Sequence, residues 1–177
     1  MTPRTHHSKL STPIGELLLT SDGTALTGVY LGDHKDGPTP DATWLGEDEV
    51  LREAREQLTA YFAGTLTVFR LPLAPSGTPF QSGAWAKLND IPFGTTISYG
   101  EQARRLDCPN SSRAVGAANG RNPISIVVPC HRVIGAGGDL TGYGGGLDRK
   151  RWLLKHEASV LASLSVASQE QPLQQVG

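Results

Sequence analysis

The chain has 177 residues, 38% of them hydrophobic, and a formal net charge of −1. That supplies apolar material for one compact domain or two small ones and excludes a disordered or fibrous chain; with no secretory signal region and no run near the ~18 apolar residues a membrane helix needs, an intracellular protein is expected. Two cysteines, Cys108 and Cys130, cannot build a disulfide framework, so a free thiol is available for chemistry.

In chain order, "ELLLT" and "ALTGVYL" read as two strands, and the Ser21-Asp22-Gly23 turn between them supplies the positive φ a tight hairpin needs. Val50, Leu51, Ala54, Leu58, Tyr61 and Phe62 then recur at helical spacing until Gly64 stops the pattern. "LTVFRLPL" reads as a further strand. These elements make a small unit with no visible catalytic group, and "PLAPSGTP", residues 72–79, reads as a linker.

Thr78-Pro79-Phe80-Gln81 is a capping box that opens a helix with Phe80, Ala84, Trp85 and Leu88 on one face. Ser98-Tyr99-Gly100-Glu101 reads as a second capping box, opening a short helix through about Leu106. After a turn, Ser111 or Ser112 can cap a third helix, "RAVGAANG", and the two short helices form a helix-turn-helix candidate. The third helix carries almost no side-chain bulk beyond Arg113, which allows close approach to a nucleic acid or equally to another protein helix. "ISIVV" reads as a strand ending at Pro129, and the following glycine-rich loop lacks a dinucleotide fingerprint. In a final helix from about Asp148, Leu153, Leu154, Glu157, Val160 and Leu161 share a face. The polar tail from about Ser163 reads as disordered.

Charge is divided along this order. Residues 1–98 hold 7 Lys and Arg against 11 acidic residues, net −4, whereas residues 99–157 hold 9 against 5, net +4. An anionic partner suits the basic half, and so does an ordinary solvated surface.

"VVPCHRVIG" places Cys130 beside His131. A thiol becomes a nucleophile when a base takes its proton, and a carboxylate beyond an imidazole orients that base. Glu157, set in an apolar stripe, needs a partner, which His131 or a nearby cation could be. Neighbouring side chains on an extended segment face opposite ways, so a relay through water or a backbone bend is expected between Cys130 and His131. Cys108, His6, His7 and His34 show no metal-ligand spacing, and no metal is expected.

Taken together, "IPFGTTISYGEQA", "SSRAVGAANGRNPISIVVPCHRV", "GDLTGYGGG" and "RKRWLLKHE" resemble, in order and spacing, the O6-alkylguanine-DNA alkyltransferase family, also called methylated-DNA-protein-cysteine methyltransferases. The resemblance covers residues 78–158, and residues 8–71 look like the family's less distinctive N-terminal domain. It implies an α+β fold: a ribonuclease H-like N-terminal α/β domain with linker (1–77), a mostly helical DNA-binding and catalytic domain with a winged-helix-like helix-turn-helix (78–161), and a disordered tail (162–177).

By resemblance, Cys130 takes an alkyl group from O6 of guanine in a single turnover, with O4-alkylthymine as a further substrate. His131, Glu157 and a bridging water draw off its proton, and Asn122 orders the adjacent turn. Tyr143 donates toward the leaving guanine, the Cys130 carbonyl and Val133 backbone read its exocyclic amine, and Pro129 walls the pocket. Gly144 stands where some members have serine, implying a roomier pocket. Arg113 fills the stack vacated by a flipped base, Tyr99 presses on the next phosphate, and Ala114, Gly116 and Ala117 line a helix lying in the minor groove. No cofactor, zinc site or extra N-terminal sensor domain is implied. A monomer in the cytoplasm is expected, on the nucleoid in a prokaryote, with cooperative loading on duplex DNA open.

Three other readings compete. A non-catalytic lesion-binding relative would lack the cysteine, and a helix-turn-helix regulator would carry long polar side chains for base edges. A cysteine hydrolase would need an oxyanion hole and a turnover step.

Overall fold

Strands β1 (His6–Thr12), β2 (Gly15–Ser21) and β3 (Leu26–Leu31) form an antiparallel sheet in that order, in a computed structural model that describes residues 4–32 and 37–169. At the β2–β3 turn the Asp22 carboxylate accepts from the Thr24 and Ala25 amides, and Gly23 takes φ +92. Edge strand β1 escaped the sequence reading because "HHSKLST" has one apolar residue and no apolar alternation. Its register comes from β2, with Leu10 opposite Leu17.

Helix α1 (Glu49–Phe62) is capped by the Asp48 side chain and buries Leu51, Ala54, Leu58 and Tyr61. The expected strand "LTVFRLPL" is irregular, touching β3 through a single Leu26–Leu73 bridge. Pro72 has no N–H for a ladder, and Val68 is exposed rather than facing a sheet.

Helix α2 (Pro79–Leu88) carries the complete Thr78/Gln81 capping box. Strand β4 (Ile97–Ser98) leads into α3 (Tyr99–Arg105), where the expected box is one-sided: Ser98 caps the Glu101 amide, but Glu101 turns to Arg104 and Arg105. Ser111 stands at the N-cap of α4 (Ser112–Gly120) without a side-chain cap bond. The α3 and α4 helices lock through reciprocal amide bonds between Gln102 and Asn119. Trp85 Nε1 ties α2 to the Ala118 carbonyl. All of these groups are buried and paired, so the helix-turn-helix is a rigid unit.

"ISIVV" is a turn rather than a strand. Ile126 sits at φ +74, and Val128 N–H bonds back to the Ile124 carbonyl. A β-branched residue in the left-handed region costs of order 1–3 kcal/mol and persists only where its surroundings fix it. Here the N-terminal sheet helps: Val29 N–H donates to the Pro123 carbonyl, and Ser125 N–H to the Val29 carbonyl. Cys130–Arg132 then form a single 3-10 turn, followed by β5 (Val133–Ile134), which pairs parallel with β4.

Helix α5 (Leu147–Gln169) brings Lys150, Leu153 and Glu157 inward. The disorder expected from residue 162 is corrected over residues 162–169, which continue the helix with exposed side chains through Ser168. Nothing in "SLSVASQ" breaks a helix already nucleated upstream. His34 and the remainder of the tail, residues 170–177, lie outside the described residues. No helix among the described residues is long and apolar enough to cross a membrane.

Candidate active site

Cys130 sits at the start of the 3-10 turn and is buried, with 6% of the residue's surface exposed. Asn122 organises it from below. Its Nδ2 donates to the Val128 carbonyl at 2.8 Å and to Cys130 Sγ at 3.3 Å, while its Oδ1 accepts from the Ile124 amide at 3.0 Å. One side chain thus holds both ends of the strained turn and points a donor at the sulfur. Burial raises the thiol pKa, and the Asn122 bond and the Lys150 charge oppose that rise.

His131 is fully buried, and its Nε2 lies 2.7 Å from Glu157 Oε1. Burial alone would raise the Glu157 carboxyl, but bonds from His131 and Arg132 outweigh it and hold the group well below the usual carboxylate range. An ionised carboxylate can only accept, so Nε2 carries the proton and Nδ1 presents its lone pair. Nδ1 is buried without a hydrogen-bond partner among the described residues. Burial also lowers the His131 pKa despite Glu157 beside it. A neutral imidazole with one unclaimed lone pair is a base ready to take a proton. His131 makes no side-chain hydrogen bond to Cys130, and the segment is a helical turn rather than extended.

The choice for Glu157 between imidazole and cation resolves as both. Arg132 donates to Oε2 from Nε at 3.0 Å and to Oε1 from Nη2 at 3.0 Å; the Gly94 amide donates to Oε2 at 2.8 Å, and Tyr61 Oη to Oε1 at 2.9 Å. Gly94 has φ +72, and a Cβ there would meet Leu161 Cδ1 at 2.3 Å, so only glycine brings that amide so close.

Lys150 was also missed, although it shares the stripe of Leu153, Leu154 and Glu157, and a lysine on an apolar face is as telling as a glutamate. Its buried Nζ donates to the carbonyls of Val133 (2.6 Å) and Thr141 (2.9 Å), and lies 3.4 Å from Tyr99 Oη. It thereby ties β5, directly after the 3-10 turn, to the glycine-rich loop that carries Tyr143. Burial raises the Tyr99 and Tyr143 hydroxyls and lowers the Lys150 ammonium; charge at Cys130 adds to the first two shifts and opposes the last. The Tyr143 hydroxyl is buried without a hydrogen-bond partner among the described residues, and burial pushes its pKa well above the ordinary tyrosine value, with Ser125 opposing part of that rise.

The other anticipated residues are distributed as follows. The Val133 carbonyl accepts from Lys150 and the Cys130 carbonyl from the Val133 amide, leaving each a second lone pair. Gly144 is exposed beside Tyr143. Pro129 lines a cavity of about 240 Å³ with Phe69, Leu71, Phe93, Val127 and Arg132; neither Cys130 nor Tyr143 borders it. On α4, Arg113, Ala114 and Ala117 are exposed on one face, and Gly116 turns toward the Tyr99 ring. The Tyr99 hydroxyl itself donates inward to the Thr141 carbonyl at 2.7 Å. No group of three His, Cys, Asp or Glu among the described residues could hold a metal ion.

Two family models match the chain. The 6-O-methylguanine DNA methyltransferase DNA binding domain covers residues 79–159, and the ribonuclease-like domain of the same family covers residues 5–75. A methylated-DNA--protein-cysteine methyltransferase of Methanosarcina acetivorans is 50% identical over 87% of this chain and 99% of its own, and one of Mycobacterium leprae is 49% identical over 91% and 98%. The solved structure of Mycobacterium tuberculosis OGT in complex with DNA is similar with a TM-score of 0.81 at 48% identity, covering 88% of this chain and 94% of that one.

Proposed function

The chain belongs to the 6-O-methylguanine DNA methyltransferase family, DNA-repair proteins that transfer an alkyl group to a cysteine, and on that premise we propose that the acceptor here is Cys130. One observation carries the assignment: the buried sulfur holds a donor from Asn122 and stands beside an imidazole whose far nitrogen is fixed on an ionised carboxylate. Cys108, only partly buried, has no side-chain hydrogen bond of this kind among the described residues.

The thiol proton passes to His131 Nδ1 through a bridging water, and Glu157 stabilises the imidazolium that results. The sulfur attacks the alkyl carbon, the S–C bond forms as the C–O6 bond breaks, and the electron pair leaves on guanine. Tyr143 donates toward that developing charge, with Lys150 behind it. The thioether that remains on Cys130 is a stable linkage, so each molecule acts once. Gly144 leaves room for alkyl groups larger than methyl, and O4-alkylthymine fits the same chemistry.

The lesion must leave the stack to reach the sulfur. The exposed face of α4 offers Arg113 to fill the gap and small Ala114 and Ala117 to let the helix lie in the minor groove; Gly116 lets Tyr99 pack behind it. Beyond Arg113, that face lacks the long polar side chains of a base-reading regulator. A monomer suffices, since every named group comes from one chain, and the proposed location is the cytoplasm, on the nucleoid in a prokaryote. The domain division falls near residue 77, supported by the limits of the two matched models.

With duplex DNA carrying one radiolabelled O6-methylguanine, label moves to protein one for one, and Cys130→Ser transfers none. Label released as methanol, or kept on DNA by the wild type, contradicts the proposal. Arg113→Ala slows repair of the duplex lesion by about ten- to a hundredfold, matching the few kcal/mol of base flipping. It leaves the reaction with free O6-benzylguanine, which needs no flipping, within about threefold. Equal losses on both substrates would remove Arg113 from that role.

A further inference from the structure

The Glu157 carboxylate draws on both halves of the molecule. His131, Arg132 and Gly94 belong to the C-terminal half, but Tyr61 comes from α1, 96 residues away in sequence. Tyr61 is fully buried, and its ring is boxed by Phe62, Phe69, Phe93 and His156 at centroid distances of 5.3–6.0 Å. The His156 imidazole fastens the same helix by pairing with the Tyr61 carbonyl at 2.8 Å. A ring held on all sides cannot turn its hydroxyl elsewhere. That hydroxyl donates to Oε1, the oxygen His131 also uses.

We infer that Tyr61 is a positioning residue for the catalytic base: its hydroxyl fixes the Glu157 oxygen that orients His131 and takes up part of that oxygen's charge. The N-terminal half thereby sets how strongly the imidazole holds a proton. The inference rests on the reading of Cys130, His131 and Glu157 as the transfer machinery. A carboxylate charge divided among more donors attracts an imidazolium less. Removing the Tyr61 donor concentrates charge on Oε1 and raises the proton affinity of His131. Burial already holds the imidazole below the ordinary histidine value, which keeps it neutral at physiological pH.

The charged and titratable groups facing this pair are few. Glu157, Arg132 and Lys150 act on His131, and Glu157, Arg132 and Tyr143 act on Tyr61, with His156 against its ring. Tyr61→Phe changes none of these and keeps the ring packing, so its effect reports on the hydroxyl.

Two readouts on the full-length protein test this. The His131 ring nitrogens are followed by NMR across pH in the DNA-free protein, and the single-turnover transfer rate is followed across the same range. In the wild type the acid limb of the rate lies below about 6.5, the ordinary histidine value. In Tyr61→Phe both the titration and the acid limb move up by about half a pH unit or more, the size expected from one hydrogen bond to a charged group. DNA affinity stays within about threefold of wild type. A fluorotyrosine at position 61, a stronger donor of the same shape, moves both the other way. Superimposable profiles for wild type and Tyr61→Phe, in a wild type that transfers, overturn the inference alone. A wild type that transfers nothing overturns the function, while the NMR titration still decides whether Tyr61 tunes His131.

Discussion

Glu157→Gln loses both alkyl transfer and a large share of stability. The carboxylate accepts from His131, Arg132, Gly94 and Tyr61 with no exposed surface. Glutamine keeps one acceptor and turns an amide donor against groups that are themselves donors, leaving the Arg132 charge without its partner. Breaking a buried ion pair from one side costs about 3–5 kcal/mol. The imidazole also loses what fixes its tautomer and stabilises its charged form, so transfer slows by about 10²–10⁴-fold. Denaturant unfolding and single-turnover kinetics on folded protein measure the two losses separately. The sign of the pH dependence follows from the lowered carboxyl pKa. The wild-type contribution is complete above the unfolded glutamate value of about 4.3 and drains as pH falls below it, when the unfolded chain takes up the proton first. Wild type therefore loses stability between about pH 4.3 and 3 more steeply than the variant. Parallel curves would mean that Glu157 is not ionised in the folded protein.

Asn122→Ala is the second large loss. It deletes the donors to the Val128 carbonyl and Cys130 Sγ and the acceptor for the Ile124 amide, all buried. At about 1 kcal/mol each the direct cost is about 2–4 kcal/mol. The turn that holds Ile126 in the left-handed region also loses its brace. Transfer falls by about a hundredfold or more, equivalent to about 3 kcal/mol in the barrier, because the sulfur is no longer aimed. DNA affinity stays near wild type, since α4 packs through Gln102 and Asn119 instead. Asn122→Asp sharpens the test. It preserves the acceptor for Ile124 but sets a negative charge against the thiolate, so it should fold better than Asn122→Ala and still transfer slowly. Normal transfer by both variants would show that Asn122 does not direct the sulfur.

What could be read from the sequence was whatever is encoded locally. The Thr78 capping box, the Asp22-Gly23 turn and the α1 stripe all depend on residues within a few positions of one another. Cys130, His131 and Glu157 were visible because two are adjacent and the third is out of place on an apolar face. Tyr61 was invisible as a site residue: on the stripe with Leu51, Ala54 and Leu58 it looks like core, and its hydroxyl gains a purpose only when α5 arrives. "ISIVV" misled because its β-branched residues favour strands. The pull of Asn122 from one side and Val29 from the other overrides that preference and forces a turn. "LTVFRLPL" failed for want of a partner strand, which is a property of the rest of the chain. Helix α5 overran its expected end because nothing between Ser163 and Gln169 stops a helix, even where nothing packs on it.

On the proposed function, Cys130 and not Cys108 takes the alkyl group. After reaction with duplex DNA carrying one O6-methylguanine, proteolytic mapping by mass spectrometry locates the methyl directly. One S-methylcysteine per molecule, at position 130 with Cys108 unmodified and the guanine restored, is the predicted result. A methyl group on Cys108, or a repaired guanine with no modified cysteine, would contradict it.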